Sequence, residues 1–550
     1  MPYGETAWDL TQDELEAYPA WSLLVAHSRP ALTPLYYRFW LTFTSGFSAV
    51  DESFSIPTSH GINYKMWRGH CYVSVKYTTD NEAKEREPLF RKKMAPIIED
   101  PFKWVNDQIA IGERVLDPLI PAKVEDLDDW ELYKHLIDCR IANDQAAITY
   151  NIGWAAICSG LGFFEKVALD YAGLKHTEAQ FSNMIAGIEN RLYKSNSDLA
   201  VLARKSIDFN LDQILKLPDE NVIHAMEQAE HGKEWLEVFY GFVDKWGMRQ
   251  GRMYEFCEPS WYEKPSLLLP YIRRYVELGG IHRADTERER LVKQREKVID
   301  SFLANIPQKD HQWVRRVITL GQVANYFSED GAFIEFKRHA LLRRVYMEYG
   351  RRWAQAGMIE EPNDILYVLP EEVRAHHSMR MKGLFKSKVE ERKKERASYQ
   401  NLVPGSTELP LFLGDTSKVG EMVGREPMIS VLVAMPEVTA EQVGALCVGA
   451  ACAPGMEEGV ARVIMSEAEW DKIQLGDILV TPMTSAVWTP LFGLIKAVVC
   501  DSGGAMSHPV IVSREYGIPC VAGTLDGTRL IKTGDRIRVD GNLGRVYKVD

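Results

Sequence analysis

The residues best placed for covalent chemistry lie in CDSGGAMSHPVIVSREYGIPCVAGT, Cys500 to Thr524. An apolar strand, AVVC, runs into Asp501. Gly503 and Gly504 then permit a tight turn and close backbone approach. Ser507 and His508 follow. Pro509 suits the first position of a helix, where its missing N–H costs nothing. That helix is predicted to run through PVIVSREY and close at Gly517, before a second buried strand, IPCVAG. The spacing sets an imidazole at a helix start, beside backbone N–H groups and the positive end of the helix dipole, where an anion is favoured. A neutral ring nitrogen there can attack phosphorus, hold the group as a phosphoimidazole and pass it on, splitting one transfer into two. The plainer alternative is that His508 only caps the helix. Of thirteen histidines it alone lies beyond residue 400.

The elements that must position this histidine fall into two sequence regimes. Up to about residue 400, apolar residues recur at three- and four-residue spacing, as in residues 135–173, 221–247, 287–304 and 332–357. That periodicity predicts helices. GHCYVSVKYT (69–78) alternates instead and predicts a strand in a hairpin. Residues 397–430 carry Pro404, Gly405, Pro410, Gly414, Gly420, Gly424 and Pro427 and predict a linker. Short β-like segments between glycine turns follow. The expected fold is therefore multidomain: a large, mainly α-helical domain (1–396), the linker (397–430) and a small α/β domain (431–550). At 550 residues the chain exceeds what one core supports. Twelve of fourteen tryptophans precede residue 400. They are core material first, and lining for an aromatic ligand second.

Composition narrows the function. The net charge of -12 speaks against a nucleic-acid partner. The one basic run, residues 380–396, reads as a solvated helix end. Eight scattered cysteines without a C-x-x-C pair predict reduced thiols in a cytoplasmic protein, with neither a disulfide framework nor a metal site. No leader sequence or membrane span is expected. No phosphate loop of the G-x-x-x-x-G-K-[ST] type occurs. SGLGFF (159–164) lacks the third glycine of a dinucleotide site and falls within a helical stretch.

The Cys500–Thr524 segment resembles the phosphohistidine swivelling domain of phosphoenolpyruvate-utilising enzymes. The resemblance is carried by Gly503-Gly504, Ser507, His508, Ser513-Arg514-Glu515 and Gly517-Ile518-Pro519. Met506 stands where the dikinases have Thr, and Pro509 where Ala is usual. Residues 449–464 resemble the opening strand pair, 476–492 the threonine-containing loop and 534–549 the closing hairpin. The resemblance implies a phosphorylated His508, with Gly503, Gly504 and Ser507 forming its phosphate loop.

Residues 29–40, 68–77 and 341–373 resemble the helical substrate domain of rifampicin phosphotransferase and of the phosphohistidine subunit of phenylphosphate synthase. One departure is Ser328-Glu329-Asp330, where rifampicin-type domains carry an Arg-Glu pair and a Lys. The resemblance implies ATP and Mg2+ held by a separate ATP-grasp subunit, none bound by this chain, and a phenolic hydroxyl as acceptor. The candidates for the acceptor's base or binding groups are Glu329, Asp330, His60, His70, His339 and Arg338. Lys337, Arg343 and Arg344 share a predicted helix with Arg338. An ion-paired helix face is an equal reading for these four. Two alternatives stay open: a phosphocarrier donating to another protein, and a silent interaction protein that kept the fold.

Overall fold

The computed structural model describes residues 11–17, 20–24, 31–174, 179–250, 255–281, 283–379, 385–402, 406–415, 417, 439–504 and 507–549. Half of the expected linker (403–405, 416 and 418–430), the start of the expected third domain (431–438), residues 29–30 and 380–384 of the segments above, and Ala505 and Met506 of the histidine loop lie outside the described residues.

The chain divides into two compact units. The first comprises Met1–Ala156, Arg252–Pro259 and Ile334–Pro427. The second comprises Ile157–Gly251, Ser260–Phe333 and Met428–Asp550. Residues 1–396, expected as one helical body, are thus shared between both. The helix Phe385–Gln400 also carries regular structure into the first residues of the expected linker.

The first unit holds the expected hairpin. Strands β2 (Ser59–Trp67) and β3 (His70–Tyr77) pair antiparallel, with Trp67 opposite His70. Arg68 and Gly69 turn the corner with φ of 50° and 71°. Positive φ at both central residues matches the right-handed strand twist. Alternation along the sequence did not predict two further strands, β1 (Ala20–Leu23) and β4 (Phe412–Gly414), which complete a sheet of order β2-β3-β1-β4. Every residue of β1 is buried, so it shows no polar face. Trp21, Leu23, Tyr72 and Leu409 form the sheet's core.

The second unit begins within the 44-residue helix Asp129–Ala172 and continues through helices Arg191–Asp208, Gly232–Trp246, Leu269–Glu277, Arg283–Leu303 and His311–Asp330. SGLGFF lies inside the first of these, as its sequence implied. Close helix crossings are made at glycines: a Cβ on Gly321 would sit 2.7 Å from Phe164. Asp129–Ala172 is long and apolar enough to cross a bilayer by length and composition, the one such helix among the described residues. Just over half of its apolar window, 53%, is buried inside the protein.

The C-terminal part of this unit is an eight-stranded sheet. Its strands are β5 (Cys447–Val448), β6 (Ala450–Ala453), β7 (Met456–Val463), β8 (Ile478–Thr481), β9 (Ala497–Cys500), β10 (Cys520–Ala522), β11 (Arg536–Asp540) and β12 (Arg545–Lys548). The order is β5-β12-β11-β7-β8-β9-β10-β6. The central four, β7 to β10, run parallel, and the flanking pairs are antiparallel. β8 and β9 are buried at every residue, as expected of parallel strands covered on both faces. Ile478, Val480, Ala497, Val499, Val521, Ile537 and Val539 share one core. The helix His508–Tyr516 is the crossover from β9 to β10. Its start therefore lies past the carboxyl end of a parallel strand, the usual place for a site in such sheets.

Candidate active site

The chain leaves β9 at Cys500, and Asp501 fixes the exit by accepting the Thr528 N–H at 2.8 Å and the Thr528 hydroxyl at 2.5 Å. Gly503 has a φ of 128°, and a Cβ there would lie 2.6 Å from Ser507 Oγ. Only glycine fits. The Ser507 hydroxyl and N–H both donate to the Gly504 carbonyl, at 2.7 and 3.0 Å. The turn is thus closed by the residues named for it from sequence.

The first helical turn differs from expectation. Pro509 has no N–H, and the N–H groups of Val510 and Ile511 both donate to the Ser507 carbonyl at 3.0 Å. These donors serve the helix rather than an anion beside His508. The contacts to the imidazole come instead from two hydroxyls. Thr484 Oγ1 lies 2.8 Å from Nδ1, and Thr489 Oγ1 lies 3.1 Å from Nε2. A neutral imidazole has one N–H and one lone pair, so one threonine accepts while the other donates. Phe492 sets its ring edge-on at 6.0 Å.

Burial, and then the charge of Arg249, push the His508 pKa down to about 3. The residue keeps part of its surface exposed, yet the atoms packed around the ring withhold the water an imidazolium would need. His508 is therefore the neutral, nucleophilic base throughout the physiological range.

Arg249 is 1% exposed. Its Nη1 donates to Ser195 Oγ at 2.8 Å, and its guanidinium stands 4.5 Å over the Trp261 ring. From Trp261 an aromatic series leads back to the histidine loop. Trp261 meets Tyr271 at 5.4 Å, Tyr271 meets Trp470 at 5.1 Å, and Trp470 meets Trp488 at 5.3 Å. Trp488 precedes Thr489 in the 3-10 turn Ala486–Gly493. The helical part and the sheet part of this unit thus share one aromatic wall.

Glu329 and Asp330 end the helix His311–Asp330 in the same unit. Burial pushes the Glu329 carboxyl up to about 8, opposed by Arg249 and reinforced by Asp330 and Glu515. Asp330 accepts the Arg191 N–H at 2.5 Å and faces the Arg191 guanidinium at 3.4 Å, and burial raises it to about 6. Asp330 is thus committed to Arg191, whereas Glu329 sits where Arg249 acts on it.

The other candidates belong to the first unit. His60 lies between Glu52, at 2.6 Å, and Glu82, at 3.4 Å. His70 Nε2 meets the Tyr399 carbonyl at 3.2 Å. His339 Nε2 meets Tyr36 Oη at 3.2 Å and lies 3.8 Å from Glu335, which also takes two bonds from Arg338. The remaining cations of that helix are engaged as well: Lys337 with Glu113 and Asp117, Arg343 with the Phe256 carbonyl, Arg344 with the carbonyls of Ile120 and Ala122. No group of three or more His, Cys, Asp or Glu among the described residues is disposed to hold a metal ion.

Sequence reasoning missed Thr484, Thr489 and Arg249. Both threonines lie inside 476–492, a segment whose resemblance already pointed to a threonine-containing loop. Arg249 carried no local signal.

Two stretches of the chain match known families. Residues 473–544 match the family described as PEP-utilising enzyme, mobile domain. Residues 168–327 match the rifampicin phosphotransferase fourth domain. An uncharacterized phosphotransferase of Bacillus subtilis (strain 168), YvkC, is 25% identical over 547 residues, 93% of this chain and 62% of its own length. The rifampicin phosphotransferase of the same organism is 29% identical over 61% of this chain and 37% of its own length. Phosphoenolpyruvate synthase of Pyrococcus furiosus is 45% identical over 108 residues, 20% of this chain and 13% of its own. The chain therefore spans about three-fifths of the first relative and little more than a third of the second. It carries a mobile domain of the PEP-utilising type behind a helical segment of the rifampicin phosphotransferase type.

Proposed function

We propose that this chain is the phosphoryl-carrying and acceptor-binding subunit of an ATP-dependent phosphotransferase. His508 is the carrier, and the acceptor is the hydroxyl of a phenolic or other aromatic small molecule. ATP and Mg2+ are held by a separate ATP-grasp subunit. The observation that carries the reading is the neutral His508, held at both ring nitrogens by Thr484 and Thr489, in one unit with Arg249, Glu329 and an aromatic wall. Relatives named for phosphoryl transfer to rifampicin support a small-molecule acceptor.

In the first step a lone pair of the His508 ring attacks phosphorus on the partner-bound nucleotide. The P–N bond forms, and the electron pair of the broken P–O bond leaves with the nucleotide. One threonine contact must yield to the incoming group, while the other holds the ring and its tautomer. In the second step the acceptor oxygen attacks phosphorus, and the P–N bond returns its pair to the imidazole. The acceptor proton passes to Glu329. A phenol near pKa 10 needs such a base, and a carboxyl raised to about 8 is a much stronger one than an ordinary carboxylate. Arg249 opposes an imidazolium but favours the dianionic phosphoimidazole that replaces it.

The test is phosphoryl incorporation from labelled ATP with the ATP-grasp partner present. Acid-labile, base-stable label on the wild type, absent from His508→Ala and discharged by a phenol, is the expected result. Label that phenols leave in place would refute the acceptor class while keeping the carrier.

A further inference from the structure

Beside the carboxyl-terminal half of the helix His508–Tyr516, which supplies Ser513 and Arg514, the second unit contains a crevice of about 340 Å³, unused by the chemistry above. One wall belongs to the helical part, with Asn183, Arg290, Leu291 and Gln294. The other belongs to the sheet part, with Ser513, Arg514, Ile518 and Asn542. The volume is at the small end of the range for metabolite sites.

The lining is biased toward anions. It contains two guanidinium groups, three side-chain amides and a hydroxyl, and no carboxylate. Arg514, 3% exposed, lines the crevice and donates to Asn325 Oδ1 at 3.0 Å. Arg290 is at the mouth. It is held by Glu287 at 2.7 Å and by Gln294 at 3.1 Å, with its Nη2 over Gly517. Glu287 is the acidic group that faces Arg290. Glu515, the next carboxyl along the nucleophile helix, is pushed up to about 8 by burial, opposed by the charge of Arg514. The Ser513 hydroxyl is fully buried, lines the crevice and has no hydrogen-bond partner among the described residues. A buried hydroxyl left unpaired is costly, and a ligand oxygen at this position would satisfy it.

We propose that this crevice binds a small phosphorylated organic molecule, anchored by Arg290, Arg514 and Ser513, and that the ligand holds the sheet part against the helical part. Donors arriving from two walls suit the tetrahedral oxygens of a phosphate better than a planar carboxylate. The ligand's grip on both walls favours the packed arrangement by mass action. The consequence for turnover rests on the carrier reading: His508 must leave the helical part to be recharged, so an occupied crevice slows its phosphorylation.

The experiment is calorimetric titration of the full chain with inorganic pyrophosphate, with citrate as the carboxylate counterpart. Arg290→Gln is the main variant, because its partly exposed side chain can change without unfolding the helix. Ser513→Ala is the second, since removing an unpaired hydroxyl leaves no new unpaired group. Pyrophosphate is expected to bind the wild type and His508→Ala equally. It should bind about tenfold more weakly to Arg290→Gln, the loss of one charge-assisted hydrogen bond, and measurably more weakly to Ser513→Ala. Absence of saturable binding, equal affinity in all three variants, or citrate binding as well as pyrophosphate would overturn the site. Pyrophosphate should also slow His508 labelling in the wild type and not in Arg290→Gln. Equal slowing of both would overturn the coupling. Binding is read without any phosphoryl transfer, so a failure of the carrier reading leaves this result distinct.

Discussion

Each unit contains a cluster of arginine, glutamate and histidine among its described residues, and the two clusters are wired in opposite ways. In the first unit Arg338, Glu335 and His339 sit one turn apart on a single helix. Glu335 accepts two bonds from Arg338, Asn143 Oδ1 takes a third at 2.9 Å, and Tyr36 meets His339. The charges neutralise one another. In the second unit Arg249, Glu329 and His508 come from three distant segments. Arg249 is held by a hydroxyl and an indole face, the Glu329 carboxyl is pushed up to about 8, and the imidazole is pushed down to about 3. A cluster whose charges are spent on each other holds a fold together. A cluster whose members are driven away from their usual protonation states is arranged to act on something else.

The sharpest way to break this contrast is at its centre. His508→Ala should abolish acid-labile label altogether while leaving the unfolding transition nearly unchanged, because the ring's two contacts are to hydroxyls that water can serve. Retained label would move the nucleophile elsewhere. Next in size is Arg338→Met, which strands the Glu335 carboxylate in the interior. Removing one partner of a buried ion pair costs about 3–5 kcal/mol. Chemical denaturation should show that loss, with His508 labelling of the folded fraction unaltered. A variant that folds as the wild type but fails to transfer would put Arg338 in the site and erase the comparison.

Smaller effects sharpen it. Arg249→Gln removes the cation that disfavours imidazolium, so the His508 pKa should rise from about 3 in an NMR titration of the ring. Discharge to the acceptor should slow about tenfold, the value of one charge-assisted contact. A pKa that stays put would remove Arg249 from the site. The mildest change is Glu329→Gln. As a base, Glu329 works only when ionised, so wild-type discharge should rise with pH through about 8, and the variant should be slow and flat. The sign for stability is opposite. The folded protein keeps a proton that the unfolded chain releases above about pH 4.5, so the wild type loses stability between there and pH 8. The melting temperature of Glu329→Gln should therefore gain on the wild type across that window.

Much of the second cluster's setting was legible in the sequence, for local reasons. Gly503 is required by a turn that closes within four residues. The helix starts at His508 because Pro509 suits only a first turn, and it ends at Gly517, whose φ of 64° takes the left-handed cap. The strand β3 and its place in a hairpin were legible from alternation in residues 69–78, whereas the two-residue turn at Arg68 and Gly69 was not. The strands β1 and β4 were not. They are short, and β1 is buried on both faces, so neither shows a period. The division of residues 1–396 between two units was hidden for a related reason: helical periodicity reports that a face is buried, and not against what.

The amino-acid sequence by itself determined the turn at Gly503, the place of His508 at the start of a helix and the end of that helix, since each depends on residues within one turn of one another. Tertiary structure alone decided which charges stand near it. Thr484 and Thr489 reach the imidazole from an earlier crossover of the sheet. Arg249 and Glu329 reach its neighbourhood from the helical part of the unit. Arg338 and His339, equal candidates in the sequence, are bound into the first unit's ion pair. Helical periodicity gives every polar residue a face, but desolvation and Coulomb energy depend on what closes over that face, and that is settled only when distant segments pack.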